Sequence, residues 1–257
     1  MRGSRPLTIA ALLLAGAVAT AAFATVAGSA TKVRVGKLVL RADARFQPRE
    51  LPRRHRVPIR FEGYADIKTT DGSPPPALRR LRVDFDRDGL LTTAGLATCD
   101  PARLAGAGAR QARNRCGAAQ VGAGRVGVTV GLPGLPRVNL HTPLSLFNGP
   151  RQGGDATVIA HAQVSYPTPE THVVTIPVER RRGSYRATFD LPAIAGGHGA
   201  LTNVNGRVGR RYRAGGAERS YVSARCSDGI FETHGLAWFA DGTVISGNIF
   251  TSCDYRR

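Results

Sequence analysis

The amino-acid sequence predicts an all-β fold, an antiparallel β-sandwich or jelly-roll-like arrangement with one short helix between Cys99 and Cys116. Apolar and polar residues alternate over many short stretches, which is the pattern of half-buried strands. Residues that favour turns separate these stretches, and the chain has 31 glycines and 16 prolines. Its four cysteines form an even set that can join loops through disulfides.

The clearest alternation covers residues 57–67, where apolar side chains take one side of the strand and mostly charged side chains take the other. The same pattern recurs at 81–85, 126–130, 144–146, 174–178 and 185–189. We also predict strands at 32–40, 156–164, 220–226, 230–239 and 243–251. Asp241 and Gly242 separate the last two strands and are typical of a tight hairpin, so we expect these strands to pair.

Three disulfide pairings of the four cysteines are possible, and we expect neighbours to pair: Cys99 with Cys116 and Cys226 with Cys253. A zinc site would need closely spaced ligand pairs such as C-x-x-C, which the sequence lacks. Within the first loop, Asp100 and Pro101 are typical of a helix start, with Asp as the N-cap. We therefore predict one short helix over 101–113.

Residues 1–30 resemble a secretory signal peptide. Arg2 and Arg5 precede an alanine-rich apolar stretch, and small residues such as Ala24 and Ala30 provide cleavage positions. The stretch approaches the roughly 20 residues that span a bilayer, so an uncleaved membrane anchor is the alternative. We expect cleavage, which leaves residues 31–257 as a single exported domain, secreted or associated with the cell envelope.

Two motifs match part of a known ligand-binding pattern, one for dinucleotides and one for calcium. Residues 122–127 match the dinucleotide pattern G-x-G-x-x-G, but that motif needs a following helix and here runs into a predicted strand, so we interpret it as a turn or bulge. Residues 84–89 match the first half of a calcium loop, but Gly95 occupies the position of the acidic twelfth ligand. We interpret the segment as a hairpin turn, with a weak calcium site as the alternative, and expect no cofactor or metal.

Among the six histidines, His161 and His172 flank a predicted hairpin that contains Glu170, with Asp155 just upstream. This is the one cluster that suggests metal or acid–base chemistry, and it supports an alternative function as an extracellular hydrolase of glycans or esters. The sequence contains neither G-x-S-x-G nor H-E-x-x-H. We therefore favour structural histidines and a protein without catalytic activity.

The chain carries 36 basic and 18 acidic residues, a formal net charge of +18, and 33 of the basic residues are arginines. The candidate anion-binding residues lie in two clusters: Arg180, Arg181 and Arg182, and Arg210, Arg211 and Arg213. Arginine binds phosphate and carboxylate bidentately, so clustering on one face would attract an anionic polymer, whereas a solvated basic surface is the alternative. Aromatic residues make up 6% of the chain, which argues against specific nucleic-acid binding.

Several turn and strand-end segments carry a resemblance to other proteins: residues 99–101 with 115–116 and 121–124, 146–149, 191–197, 210–213, and 239–242 with Cys253. Through them the chain resembles a group of uncharacterised exported β-rich proteins of high-GC Gram-positive bacteria. The resemblance implies a shared fold and export, and no reaction or ligand. We accordingly expect a binding or structural module with a basic face for an anionic envelope polymer such as teichoic acid.

Overall fold

The computed structural model describes residues 30–256, and strands make up most of them. The predicted signal peptide lies outside the described residues, apart from Ala30. The strands are β1 (Thr31–Val35), β2 (Leu38–Gln47), β3 (Glu50–Pro52), β4 (Val57–Pro58), β5 (Arg60–Thr69), β6 (Leu78–Phe85), β7 (Gly89–Leu91), β8 (Gln120–Val130), β9 (Val138–Gln152), β10 (Asp155–Val164), β11 (Glu170–Arg181), β12 (Ser184–Asp190), β13 (Gly199–Val208), β14 (Arg211–Ala214), β15 (Ala217–Ser220), β16 (Val222–Ala224), β17 (Ile230–Phe239), β18 (Val244–Ser252) and β19 (Asp254–Arg256). Helix α1 (Ala109–Cys116) accompanies short 3-10 turns at Pro101–Leu104, Gly117–Ala119 and Ala195–Gly197.

Twelve strands form one antiparallel sheet in the order β1-β2-β5-β13-β8-β9-β10-β11-β12-β6-β17-β18. The sheet curls until its two edges meet, where the Thr31 hydroxyl of β1 donates a 2.6 Å hydrogen bond to the Asn248 carbonyl of β18. Its opposite walls pack face to face: the ring of Phe61 on β5 lies 6.3 Å from that of Phe85 on β6, although these strands are not neighbours. The predicted all-β class and antiparallel pairing are confirmed.

The backbone of β13 leaves no room for a Cβ atom at two glycines of β8. A Cβ atom at Gly124 would collide with the Asn205 carbonyl oxygen and lie 2.8 Å from Gly206 Cα. A Cβ atom at Gly122 would likewise collide with the Arg207 carbonyl oxygen. The G-x-G-x-x-G motif therefore lies within a strand, with a bulge in the β8–β9 pairing between Gln120 and Gly122.

Both disulfides join the predicted neighbours, Cys99 with Cys116 and Cys226 with Cys253, across Cα separations of 5.4 and 6.0 Å. The first holds α1 against the outer face of β9 and β10, where it belongs to a buried cluster with Phe147. The second lies beside a small sheet, β4-β16-β7, which covers one end of the curled sheet. Disulfides persist in oxidising compartments, which agrees with an environment outside the cytoplasm. No helix within residues 30–256 has the length and apolarity needed to cross a membrane.

Several local predictions are wrong. The turn at residues 87–89 joins strands of different sheets and is not a hairpin, and the strand predicted over 220–226 is divided between β15 and β16. Asp100 caps a helical turn as predicted, accepting a 2.9 Å hydrogen bond from the Ala102 amide, but the single helix over 101–113 is broken. The break contains Gly106, whose φ of +66° leaves the helical region, and α1 begins only at Ala109. The predicted strand over 32–40 is a hairpin, because Gly36 at φ +57° turns the chain between β1 and β2.

The three carboxylates of the calcium-like segment are engaged by protein donors. Asp84 pairs with Arg82 and Arg186, and Asp86 accepts hydrogen bonds from two backbone amides. Asp88 is 1% exposed, pairs with Arg225 at 2.7 Å and accepts a 2.6 Å hydrogen bond from the Ser227 amide. Burial opposes the charge of Asp88, but these donors outweigh it and lower its pKa. Asp88 thus links the end of β6 to the loop that holds Cys226.

We expect Asp88→Asn to destabilise the protein by about 3 kcal/mol at pH 7, because Arg225 loses its carboxylate partner at a largely buried site. The lowered pKa of Asp88 means that its ionised form stabilises the fold above the ordinary carboxyl value of 3.8, and that this contribution is lost as the pH falls through the folded-state pKa. Urea unfolding at pH 7, 5 and 3 measures the difference, which shrinks at pH 3. Asp228→Asn, which removes an exposed ion pair with Arg87, is the control and changes stability by less than about 1 kcal/mol. An equal effect of Asp88→Asn at pH 7 and pH 3 would contradict this account.

The close approach of β8 to β13 predicts different effects for two neighbouring glycines. Gly124→Ala places a methyl group against the backbone of β13 and should cost about 1–3 kcal/mol of stability. Gly206→Ala, directly opposite in register, places its methyl group where no atom lies within 4 Å and should change stability by less than about 1 kcal/mol. Thermal and urea unfolding compare them. Equal losses for the two variants would show that the strands can move apart at no cost.

Candidate functional site

The structure divides the six predicted anion-binding arginines among three places. Arg180 and Arg181 end β11 and Arg182 lies in the turn to β12; all three are exposed, and Arg181 pairs with Glu179. Arg210 and Arg211 follow β13 and line a surface groove. Arg213 lies further along β14, opposite Glu218 of β15. The structure thus brings two of the six residues into one concave surface.

That surface continues over the outer face of β2, β5, β13 and β8. Residues aligned across these strands form two rows, Arg45-Glu62-Arg207-Ala123 and Asp43-Tyr64-Asn205-Arg125. Successive side chains of a strand point to opposite faces, and Phe61 packs across the interior, so both rows face outward. Arginines that are far apart in sequence therefore lie side by side on this face.

Three connected concavities of about 580, 410 and 460 Å³ follow this face. The first and second share Arg207, and the second and third share Arg60 and Arg210. We call the continuous surface the arginine groove, and its arginines are Arg41, Arg45, Arg60, Arg125, Arg207, Arg210 and Arg211. The carboxylates that line it are Asp43 and Glu62. Positive charge therefore predominates along its whole length.

Most of this charge is unpaired. Arg45 pairs with Glu62 at 2.9 Å, and Arg211 lies 3.7 Å from Glu218. Among residues 30–256, no carboxylate lies within 4.0 Å of the guanidinium groups of Arg41, Arg125 or Arg207, all three of which are exposed. These cations are available to an external anion and are not used to hold the fold together.

One groove cation is held in place. The Arg210 guanidinium donates to the carbonyl oxygens of Gly117 and Gln120 at 3.0 and 2.7 Å. Neutral carbonyls fix its direction without cancelling its charge, so Arg210 presents an oriented positive group at the junction of two concavities.

The histidine cluster of the hydrolase alternative does not form an open site. His161 is buried beneath the segment that leads into α1, and its Nε2 atom lies 2.8 Å from the Ala107 carbonyl oxygen. His172 lies 3.5 Å from Glu170, whose carboxylate accepts a hydrogen bond from the Ala195 amide. These contacts hold the segment before α1 and the loop after β12 against the sheet, and the enclosed His161 cannot touch a substrate.

The predicted anion-binding residues did not include Arg41, Arg45, Arg60, Arg125 and Arg207 of the groove. Of these, Arg41, Arg45 and Arg125 stand apart from the arginine clusters of the sequence. The signal that could have found two of them is the alternation of Arg41, Asp43 and Arg45 along one strand face. Because the predicted strand ends at residue 40, that prediction does not place these three residues on one strand face. Arg125 becomes part of the groove only through the pairing of β8 with β13.

No protein-family model, no curated protein and no solved structure matches this chain. The resemblance to exported proteins of high-GC Gram-positive bacteria accordingly stays a prediction. Function is therefore inferred from the chemistry of the arginine groove itself.

Proposed function

We propose that the protein is an exported, non-catalytic binding module that holds an anionic, phosphate-rich polymer of the cell envelope in the arginine groove. The observation that carries this proposal is a continuous concave surface with exposed arginines that lack carboxylate partners. A small anion would occupy one concavity, whereas three connected concavities with cations along them suit an extended polyanion.

The binding mechanism is multivalent charge contact. Each guanidinium can donate two parallel hydrogen bonds to a phosphate or carboxylate group, and the individual contacts at an exposed surface are weak. Several contacts along one chain add their effects because later contacts are intramolecular. Salt screens exposed charges over about 10 Å at 0.1 M, so affinity is expected to fall steeply with ionic strength.

A phosphate-rich glycan or teichoic acid suits the groove better than a nucleic acid. Single-stranded nucleic-acid sites combine positive charge with aromatic rings on which bases stack. Tyr64 is the one aromatic residue among the described residues that line the arginine groove. The groove therefore offers charge contacts to a backbone and little to planar bases.

The binding experiment compares two pairs of arginines that carry the same charge. Arg125→Gln with Arg207→Gln removes two unpaired groove cations, and Arg180→Gln with Arg182→Gln removes two exposed cations from the β11–β12 turn. We expect poly(glycerol phosphate) to bind the wild-type protein and the groove variant to bind at least tenfold more weakly. The turn variant should bind within about threefold of wild type, since a nonspecific charge effect alone is small.

The same binding constants are measured over a series of salt concentrations. The slope of log Kd against log salt should fall by about one unit for each lost phosphate contact, by analogy with polyanion binding by nucleic-acid proteins. Uncharged dextran, which should not bind, controls for sugar contacts. No binding at low salt, or equal losses in the groove and turn variants, would overturn the proposal.

Export is part of the same proposal and has its own test. Two disulfides agree with an oxidising compartment, and cleavage of the predicted signal peptide would leave a mature N-terminus near residue 25 or 31. Mass spectrometry of the protein from the culture medium and from the membrane fraction locates that terminus. An intact Met1 in the membrane fraction would favour the uncleaved anchor.

A further inference from the structure

An apolar cavity, separate from the groove arginines, lies inside the curled sheet. Beneath the small sheet β4-β16-β7, the facing walls line a partly open cavity of about 200 Å³. Its lining is almost entirely apolar and includes Phe61, Phe85, Phe231, Val158, Val178 and Val208. These residues come from β5, β6, β17, β10, β11 and β13. The cavity therefore forms only because the curled sheet brings these strands to face one another.

The cavity marks a difference in packing between the two ends of the interior. Toward the other end, Leu38, Ile67 and Phe239 are buried against one another in a filled core. Around the cavity, Phe61 and Phe85 remain only half-buried, although their rings meet edge to face across the interior at a centroid distance of 6.3 Å. Protein interiors are normally close-packed, so unfilled apolar volume beside half-buried rings indicates room for a ligand.

The polar atoms on the lining are largely engaged by the protein. The Thr251 hydroxyl donates to the Ala44 carbonyl at 2.8 Å, and the Tyr185 hydroxyl accepts a 3.3 Å hydrogen bond from the Leu91 amide. The Asp86 carboxylate accepts from two backbone amides. Tyr221 also lines the cavity, and its buried hydroxyl has no partner among the described residues. An anionic ligand would therefore lose its hydration without gaining a counter-charge, and it would lie near the Asp86 carboxylate.

We propose that this cavity binds a small, uncharged and mainly apolar molecule, either a single aromatic ring or a branched hydrocarbon, with at most one hydrogen-bond acceptor. A dry protein cavity of about 150 Å³ accommodates benzene, so by proportion this one holds about eight non-hydrogen atoms. The aromatic rings on opposite walls favour edge and face contacts with such a ligand. The cavity lining contains none of the arginines of the arginine groove, and Ile59 is the residue that lines both sites.

Toluene is the probe, titrated into the isotope-labelled full chain with both disulfides intact and followed by amide and methyl NMR shifts. We expect saturable shifts centred on the cavity lining. Val158→Phe fills the cavity and should weaken toluene binding at least tenfold. Val244→Phe makes the same change at a side chain that is 45% exposed and should leave the affinity within twofold of wild type. Benzoate, which adds a charge to the same ring, should not bind in the cavity.

Val208→Leu provides a second, smaller filling of the cavity if Val158→Phe does not fold, and it should weaken toluene binding at least threefold. The proposal would be overturned if the NMR shifts did not saturate up to the solubility limit of toluene, or if they were centred on residues outside the cavity lining. Unchanged affinity in folded Val158→Phe or Val208→Leu would overturn it as well. Because Arg125→Gln with Arg207→Gln should leave toluene binding unchanged, failure of this proposal is distinguishable from failure of polymer binding.

Discussion

Curling of the twelve-stranded sheet is the constraint on which the other features of this protein depend. The sheet brings its edge strands β1 and β18 together, and the Thr31 hydroxyl donates a hydrogen bond to the Asn248 carbonyl between them. Within the sheet, Gly122 and Gly124 permit the close approach of β8 to β13. Closure also supplies the core, because apolar side chains on one wall find partners on the opposite wall.

Because the sheet is curled, each of its strands has one face toward the interior and one face toward the outside. On β5, Phe61 faces the interior and lines the apolar cavity, while its neighbour Glu62 faces outward into the arginine groove. On β13, Val208 and Arg207 divide in the same way. The two proposed sites are thus opposite faces of shared strands, and the period of two residues keeps their chemistries apart. A one-residue slip in register would place arginines in the interior and destroy both sites.

The end of the molecule above the cavity is fixed by polar and covalent links. Asp88 bonds to Arg225 and to the Ser227 amide, on either side of the disulfide between Cys226 and Cys253. The small sheet β4-β16-β7 packs in the same region against Phe46 and Leu51. These links attach the small sheet to the rest of the fold beside the cavity.

The sequence by itself determined the features that depend on residues close in the chain: strand alternation, the Asp241-Gly242 hairpin, the Asp100 cap and the pairing of neighbouring cysteines. It misplaced β2 and the extent of the helix, where single glycines redirect the backbone. The arginine groove and the cavity were decided only by the tertiary structure. Arg45, Arg125 and Arg207 meet through strand order and register, which long-range pairing sets and which no local sequence pattern encodes.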